Sequence, residues 1–312
     1  MFHFHFGGKS AKDSSLQLEL AELKRQESAR AQSTLDALQR GELPPTVVTR
    51  IRSQNAGDLP WTSDLSVNEW ALLSRYRLET LGQVMGSSFY HVGFVPNYAF
   101  GFIPVSQELE APTQALYEGR HLALSRMAQE ASLMGAHAVV GVRLEAKGFN
   151  LEEHMFEYVC FGTAIRVEGL APSNHPTLCT VSGQDFVRLL VAGAMPIGLA
   201  LGGSFYYLRT DWWSQRQSMS WYNQEMQQFQ RAVSDIRRLT MQRMREDVRK
   251  LGGSGVLGAD YHLDVKEISG GKTNDDQEIV DHILEAIMIG TVVDRGQRPA
   301  SMKIDAVLDL SK

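Results

Sequence analysis

Two long stretches of the chain place apolar residues at helical spacing. They run from Thr113 to Met134 and from about Trp221 to Leu251, and a glycine, Gly135 or Gly252, follows each of them where a C-cap glycine belongs. The apolar positions of the first stretch are Leu116, Ala123, Met127, Ala131 and Met134. This period predicts one long helix in each half of the chain.

Shorter segments on either side of these helices predict strands and a leading helix in each half. The predicted strands are Glu79–Tyr90, Ala136–Leu144, Met155–Val167, Ile197–Phe205 and Ile283–Val293, and the predicted leading helices are Asn68–Leu78 and Gln184–Gly193. Ser66 and Ser182 stand where helix N-caps belong. The order predicts an α+β fold in which a small antiparallel sheet carries one long helix. Such a thin layer leaves one face or edge of the sheet open, and association is the usual way to cover it.

The two halves also share residues in register. Leu65–Trp70 aligns with Val181–Phe186, and Gly86–His91 aligns with Gly202–Tyr207, both at a spacing of 116 residues. At a spacing of 117 residues, the pairs are Glu118/Asp235, Arg120/Arg237, Arg126/Arg243, Met127/Met244, Glu130/Asp247, Gly135/Gly252 and Gly141/Gly258. At a spacing of 128 residues, Glu153–Glu157 aligns with Asp281–Glu285 and Phe161–Thr163 with Ile289–Thr291. Three ordered blocks indicate a tandem duplication.

The repeat sets the predicted domain boundaries. They are an N-terminal peptide and helical arm at 1–60, a first domain at 61–170, a linker at 171–177, a second domain at 178–296 and a C-terminal tail at 297–312. The arm contains a predicted helix at about Leu16–Arg40. The jump in spacing before the last strand predicts an exposed loop inserted at Ser269–Asp276, whose small and polar residues are typical of loops.

Composition and charge narrow the function classes. The chain has 312 residues, 43% of them hydrophobic, and a net charge of −5, which argues against a partner bound by broad phosphate neutralisation, such as a nucleic acid. The longest apolar stretch, Phe186–Leu201, contains Arg188 and is too short for a lipid span. Cys160 and Cys179 form no disulfide framework. We therefore expect a cytoplasmic protein without a membrane span.

The first half carries motifs that resemble a known family. They are Glu118-Gly-Arg120, Arg126-Met127, the run Met134–Val142 and Phe161-Gly-Thr-Ala164. This set resembles the YbjQ-like family, whose domain is classed as heavy-metal-binding. The second half matches less completely, through Leu251–Gly258 and Gly290-Thr-Val292. The resemblance implies a dodecin-like α+β subunit and a ring-shaped pentamer, without implying a settled biochemical activity.

A copper or zinc site would need three or four converging Cys, His or carboxylate groups. The candidate ligands are a duplicated His–carboxylate set and one thiol: His154, Glu157, His282, Glu285 and Cys160. Cys160 aligns with Met288, and a thiol and a thioether both suit a soft ion. The alternative is structural, because positions three apart on a strand face opposite sides and a free cysteine is usually buried.

Other motifs give little support for catalysis. Gly270-Gly-Lys-Thr273 lacks the full glycine spacing of a P-loop, and acidic residues follow it. The chain contains no Gly-x-Ser-x-Gly motif. Clustered aromatic residues predict core, an interface or a small-ligand pocket between subunits; they are Tyr206, Tyr207, Trp212, Trp213, Trp221 and Tyr222.

Three functional hypotheses follow from the sequence. The first is a ring-forming homo-oligomeric assembly and binding protein with a soft heavy-metal ion as its candidate ligand. Five chains in two stacked rings are its preferred assembly, and one ring of ten domains is the alternative. The second is a metal-free scaffold whose N-terminal arm, residues 1–40, recruits a protein partner. The third is an enzyme or small-ligand binder with a pocket between subunits.

Overall fold

The computed structural model describes residues 9–91, 105–150, 155–210, 226–272 and 278–294. Within them, the chain has an α+β fold of six helices and two sheets. The helices are α1 (Lys9–Gln39), α2 (Pro45–Asn55), α3 (Val67–Arg75), α4 (Glu110–Leu133), α5 (Gly183–Val191) and α6 (Gln227–Leu251). The strands are β1 (Leu78–His91), β2 (Gln107–Glu108), β3 (Ala138–Asn150), β4 (Met155–Val167), β5 (Thr177–Leu178), β6 (Met195–Leu208), β7 (Gly255–Lys272) and β8 (Glu278–Asp294).

Residues up to Pro60 form one compact unit, and residues from Trp61 onward form a second. In the first unit, α1 begins seven residues before the predicted start at Leu16, at Lys9. Helix α2 was not predicted from the sequence, because two adjacent prolines, Pro44 and Pro45, usually indicate the end of a helix. Pro45 is instead the first residue of α2, a position where proline fits because its missing N–H has no helical partner.

Both sheets order their three long strands in the same way. The first sheet has the order β1-β4-β3-β5 and the second β2-β6-β8-β7, with every long-strand pair antiparallel. In each sheet the last long strand of the sequence lies in the middle. Short strands complete the edges: β5 pairs in parallel with β3, and β2 pairs antiparallel with β6. The antiparallel sheets that the sequence predicted are therefore present in the described residues.

The helix ends follow the predicted capping residues. The Oγ of Ser66 accepts a hydrogen bond from the N–H of Glu69 at 3.3 Å, and Ser182 does the same for Asp185 at 3.1 Å. Gly135 and Gly252 follow the long helices with φ of 76° and 73°, a left-handed conformation that favours glycine. Helix α3 ends at Arg75, three residues before the predicted end at Leu78.

Each long helix lies directly on the first strand of its sheet. A Cβ atom on Gly86 of β1 would lie 2.0 Å from the carbonyl oxygen of Ala123 in α4, and one on Gly202 of β6 would lie 2.2 Å from that of Thr240 in α6. This close approach of helix backbone to strand backbone requires small residues at both positions. The register shifts lie earlier, between Thr80 and Gly82 and between Pro196 and Gly198.

Helix α4 lies between the two sheets. Toward the first sheet, the backbone oxygen of Gly119 accepts a 2.5 Å hydrogen bond from Ser88. Toward the second, the Tyr117 hydroxyl accepts a 2.8 Å hydrogen bond from the N–H of Gly203. Helix α6 covers the other face of the second sheet, where Ile236 packs near Leu284 and Ala286. The layers from Trp61 onward are therefore first sheet, α4, second sheet and α6.

Two sequence predictions are corrected or left open. Ser269–Lys272, predicted as part of an inserted loop, continues β7, so the extra residues lengthen the β7–β8 hairpin. The rest of that predicted loop, residues 273–276, lies outside the described residues. The boundaries predicted within 61–312 stay predictions. No helix in the described part of the chain has the length and apolar character needed to cross a bilayer.

Candidate functional site

The thiol of Cys160 lies in the core under α4. It is fully buried, and its Sγ lies 3.4 Å from the carbonyl oxygen of Gly86. Burial raises the pKa of Cys160 to about 12, which disfavours the thiolate that a metal requires. Cys179 is buried in a separate cluster with Leu73 and Phe186, and burial raises its pKa also. The two thiols therefore do not share one site.

The other candidate ligands point in different directions. His282 lies on the α6 side of β8, with its ring 4.5 Å from that of Phe229, and burial lowers its pKa. Glu285, three residues later, faces α4. Glu157 and Cys160 are likewise three apart on β4, and Glu157 is half-buried. His154 lies outside the described residues.

A heavy-metal ion does not fit the described residues as a preformed site. Among them, no group of three or more His, Cys, Asp or Glu side chains is arranged to hold a metal ion. The Lys266 ammonium lies 3.9 Å from Glu285, and a cation there disfavours a second one. Metal binding by His154, Glu157, His282, Glu285 and Cys160 therefore stays a prediction.

The structure instead places Glu285 beside a cavity between α4 and the second sheet. The cavity has a volume of about 300 Å³. Arg120 of α4 lies on one side, and residues of β7 and β8 form the other. The lining residues are Arg120, Leu144, Asp260, His262, Asp264, Glu285, Ile287 and Ile289. The site combines one buried cation with carboxylates and an apolar wall.

Arg120 is the largest fully buried side chain among the described residues. None of its guanidinium nitrogens makes a hydrogen bond of good geometry to a described residue, and its Cζ lies 5.5 Å from the centre of the Tyr158 ring. Burial lowers the pKa of Arg120, while the neighbouring Tyr158 and Glu285 oppose that shift. Burial also raises the pKa of Glu285, opposed by Lys266 and Arg120. The recurrence of Arg120 in the sequence gave no sign of this site, because helical spacing does not reveal a second sheet.

A polar contact joins the two halves of the chain at β2. Glu108 forms an ion pair with Arg243 of α6 and accepts a 2.5 Å hydrogen bond from Ser204. Burial opposes the shift, but the bonds to Arg243 and Ser204 together lower the pKa of Glu108. This contact fixes the segment before α4 to the second sheet. Sequence reasoning missed Glu108, since its residue type and position carry no distinctive signal.

Side chains of α4 and α6 bind backbone groups on the edges of β1 and β6 that pair with no long strand. The carboxylate of Glu130 accepts a 3.0 Å hydrogen bond from the N–H of Met85, and Arg126 donates a 2.5 Å hydrogen bond to the carbonyl oxygen of Ser87. In the second half, Asp247 binds the N–H of Leu201 at 3.3 Å, and Arg243 binds the carbonyl oxygen of Gly203 at 3.0 Å. These contacts occupy backbone groups that would otherwise be free to pair with another strand.

The two sheets differ most on one face, the face opposite α4 in the first sheet and opposite α6 in the second. On the second sheet this face is covered by α4, and Phe205 is 1% exposed. Its ring lies 5.5 Å from that of Phe156. On the first sheet, the same face exposes Phe89 by 62% and Met85 by 53%. The first sheet therefore presents apolar side chains to solvent.

Comparisons with known proteins identify one relative that matches most of the chain and several that match a shorter part of it. A family model, YbjQ, described as "Putative heavy-metal-binding", matches residues 71–168. The "Encapsulin nanocompartment protein Rv1762c" of Mycobacterium tuberculosis is 32% identical over 236 residues, which cover 72% of this chain and 86% of that protein. No solved structure gives a significant match.

Shorter relatives match somewhat less than a third of the chain. A UPF0145 protein of Fervidobacterium nodosum is 34% identical over 96 residues, covering 30% of this chain and 86% of the relative. A UPF0145 protein of Pseudothermotoga lettingae is 29% identical over 92 residues, covering 29% and 85%. The matched stretch is thus most of the length of each of these relatives.

Proposed function

This chain belongs to the YbjQ family, and from that membership we propose that it is a homo-oligomeric assembly protein made from two tandem copies of the family's domain. The first copy contains α3, β1, α4, β3 and β4, and the second contains α5, β6, α6, β7 and β8. The matching strand orders support the duplication. The relatives that consist of little more than one copy support it also.

Aligned residues that make the same contact add to this support. Arg126 and Arg243 both bind a carbonyl oxygen of the first strand of their sheet. Glu130 and Asp247 both bind an N–H two residues earlier on that strand. Chance similarity in sequence would not preserve such paired contacts.

The observation that carries the assembly proposal is the open face of the first sheet. Met85 and Phe89 lie on this face. The residues aligned with them in the second sheet are Leu201 and Phe205, which are 2% and 1% exposed under α4. A face that is buried in one copy and open in the other fits a neighbour that supplies the missing cover. A second chain can supply it, because its α6 is the counterpart of α4.

We propose further that a protein nanocompartment is the partner of this assembly. The name of the M. tuberculosis relative supports this partner. The N-terminal unit offers a recruiting element, since Leu20 and Leu23 of α1 are about half exposed. Residues 1–40 therefore remain the proposed recruiting arm.

Native mass spectrometry with elemental analysis of the purified protein tests the assembly and its metal content together. We expect a homo-oligomer at micromolar concentration. A monomer would overturn the assembly proposal. The metal-free scaffold predicts substoichiometric copper and zinc, whereas one ion per chain, lost in Cys160→Ser but not in Cys179→Ser, would establish the metal-binding alternative.

The double variant Met85→Ser/Phe89→Ser tests the open face directly. Burial of such a side chain contributes about 1.5–3 kcal/mol, so losing both weakens association by about a hundredfold or more. Val265→Ser is the matched control, because Val265 is an exposed apolar strand residue that pairs with Leu284 on the α6 side of the second sheet. An unchanged dissociation constant in the double variant would remove the open face as the contact.

A further inference from the structure

The junction between the two halves includes a backbone contact at the edge of the first sheet. The segment that leads into α5 lies beside β3. The N–H of Cys179 donates to the carbonyl oxygen of Val139 at 2.8 Å, and the N–H groups of Gly141 and Val142 donate to the carbonyl oxygens of Val181 and Cys179 at 2.8 and 2.9 Å. The second half therefore adds its entry segment to the sheet of the first half.

The helix that follows this segment packs on the same sheet. Phe186 of α5 is buried in a cluster with Leu73 of α3 and with Val140 and Ile165 of the first sheet. The entry segment and α5 thus dock as one piece. The cluster is apolar throughout, and its members are nearly inaccessible.

Each chain has a second entry segment, in its first copy, and a second sheet edge, in its second copy. Within the chain these two surfaces do not make the corresponding contact. At the aligned positions of the first copy, the entry segment is Trp61–Leu65, and the counterpart of Phe186 is Trp70, which is 45% exposed. In the second copy, the edge of β7 begins at Gly255, and the counterpart of Val140 is Leu257, which is 40% exposed. Among the described residues, no other segment donates a backbone hydrogen bond to this part of the β7 edge.

We propose that Trp61–Leu65 of one chain adds in parallel to the edge of β7 at Gly255–Ala259 of a second copy, with Trp70 packing against Leu257. This inference rests on the proposed homo-oligomer and deepens it by naming the contact. The aligned register, from Thr177 and Leu178 beside Ala138 and Val139, places Trp61 beside Gly255 and Thr62 beside Val256. Adding a strand to an open edge is a common mode of recognition.

The neighbouring chain at this contact would also cover the open face of the first sheet. Helix α4 of the first copy covers the second sheet, so α6 of a preceding chain would cover the first sheet of the next. The contact at the β7 edge also joins the second copy of one chain to the first copy of the next. Two separate surfaces therefore specify one head-to-tail order.

Charged residues fit this order as well. Within the chain, Arg120 of α4 and Glu285 of β8 flank one cavity. Their counterparts are Arg237, which is exposed on α6, and Glu157, which is half-buried on β4. The proposed contact brings Arg237 of the preceding chain toward Glu157 and so builds a second Arg–Glu cavity between chains.

The proposed contact is heterologous, because different surfaces meet at each side. Such a contact closes into a ring or continues as a filament. First and second copies of the domain alternate along an assembly built through this contact, so a closed ring contains an even number of domains. This order favours one alternating ring over the two stacked rings expected from the sequence.

Disulfide crosslinking in the full chain tests the register. We expect the variant Thr62→Cys/Val256→Cys to form chain-to-chain disulfides under oxidation, seen as a ladder on a non-reducing gel, because aligned neighbours on paired strands lie within disulfide reach. The native thiols are both buried. Thr62→Cys/Leu257→Cys is the control, since adjacent strand residues face opposite sides. Equal crosslinking of both pairs, or of neither, would overturn the register.

A mixing experiment tests whether the contact is head-to-tail. Trp70→Glu damages the entry surface, and Leu257→Glu damages the edge. We expect each variant alone to be monomeric, and an equimolar mixture to form a heterodimer through the one intact surface of each chain. Circular dichroism establishes that both variants fold. A wild-type monomer would overturn the proposed oligomer itself, whereas a wild-type oligomer that both variants retain would overturn only this contact.

Discussion

The two sheets of this chain have the same strand order, but they differ in how their second face is covered. Phe205 of the second sheet is 1% exposed under α4, whereas the aligned Phe89 of the first sheet is 62% exposed. Both strands carry the sequence Ser-Phe-Tyr at this point. The residue type is therefore the same in both places, and the neighbouring helix decides whether it is core or surface.

The charged residues show the same difference. Arg120 is fully buried between α4 and the second sheet, and its counterpart Arg237 on α6 is exposed. A fully buried guanidinium carries a large desolvation cost unless charges or hydrogen bonds compensate it. Repeating such a residue on an exposed helix face has a structural reason only if that face becomes buried in turn. This is the reason the assembly proposal supplies.

The largest expected effect comes from the aligned phenylalanines. We expect Phe205→Ala to lower the free energy of unfolding by about 3–5 kcal/mol, because it empties a packed site. Phe89→Ala should change the unfolding of an isolated chain by less than about 1 kcal/mol and should act on association instead. Urea unfolding at low protein concentration, beside sedimentation at high concentration, separates these effects. Equal unfolding losses in both variants would mean that the two faces are equally covered.

A second experiment concerns the faces on which the sheets are alike. We expect Gly86→Ala and Gly202→Ala each to cost about 3 kcal/mol of unfolding free energy, because the added methyl group meets helix backbone. Gly255→Ala is the control, since a Cβ there meets nothing within 4 Å and the aligned residue of the first sheet is Ala138. Thermal or urea unfolding measures all three. A small loss at Gly86 with a large one at Gly202 would show that the helices do not pack alike.

Local signals in the sequence account for much of the fold. The caps at Ser66 and Ser182, the glycines after the long helices and the bounds of β4 agree with the prediction, because each depends on a few adjacent residues. Helix α2 was missed because Pro45 can either end a helix or begin one. The β7 extension was missed because Ser269–Lys272 has the composition of a loop, although the β8 pairing holds it in a strand.

The candidate site was much less accessible to sequence reasoning. Spacing along β8 correctly indicated that His282 and Glu285 face opposite sides of the strand. Nothing in the sequence indicated that Glu285 and Arg120 would line the same cavity, because that arrangement depends on how the two halves pack. Glu108 and Arg243 were missed for the same reason. Long-range packing is a property of the whole chain and leaves no local pattern.

The smallest expected effect concerns the charge of Glu285. Burial, opposed by Lys266 and Arg120, raises the pKa of this carboxyl above its ordinary value. Since the folded pKa exceeds the unfolded one, the contribution of Glu285 to stability is full below the unfolded pKa and is lost as the pH rises through the folded pKa. Glu285→Gln resembles the protonated form and lacks this loss. Wild type and variant should therefore be similarly stable at about pH 4, and the variant should be more stable at about pH 8.

The difference at high pH amounts to about 1.4 kcal/mol for each unit by which the two pKa values differ. Urea unfolding of both proteins at both pH values measures it. A variant less stable than wild type at about pH 8 would mean that Arg120 and Lys266 outweigh burial, so that the ionised carboxylate is the favoured form. Attraction between Arg120 and Glu285 would then help to hold the two halves together. By the same reasoning, Arg237 and Glu157 would be expected to strengthen the contact between chains.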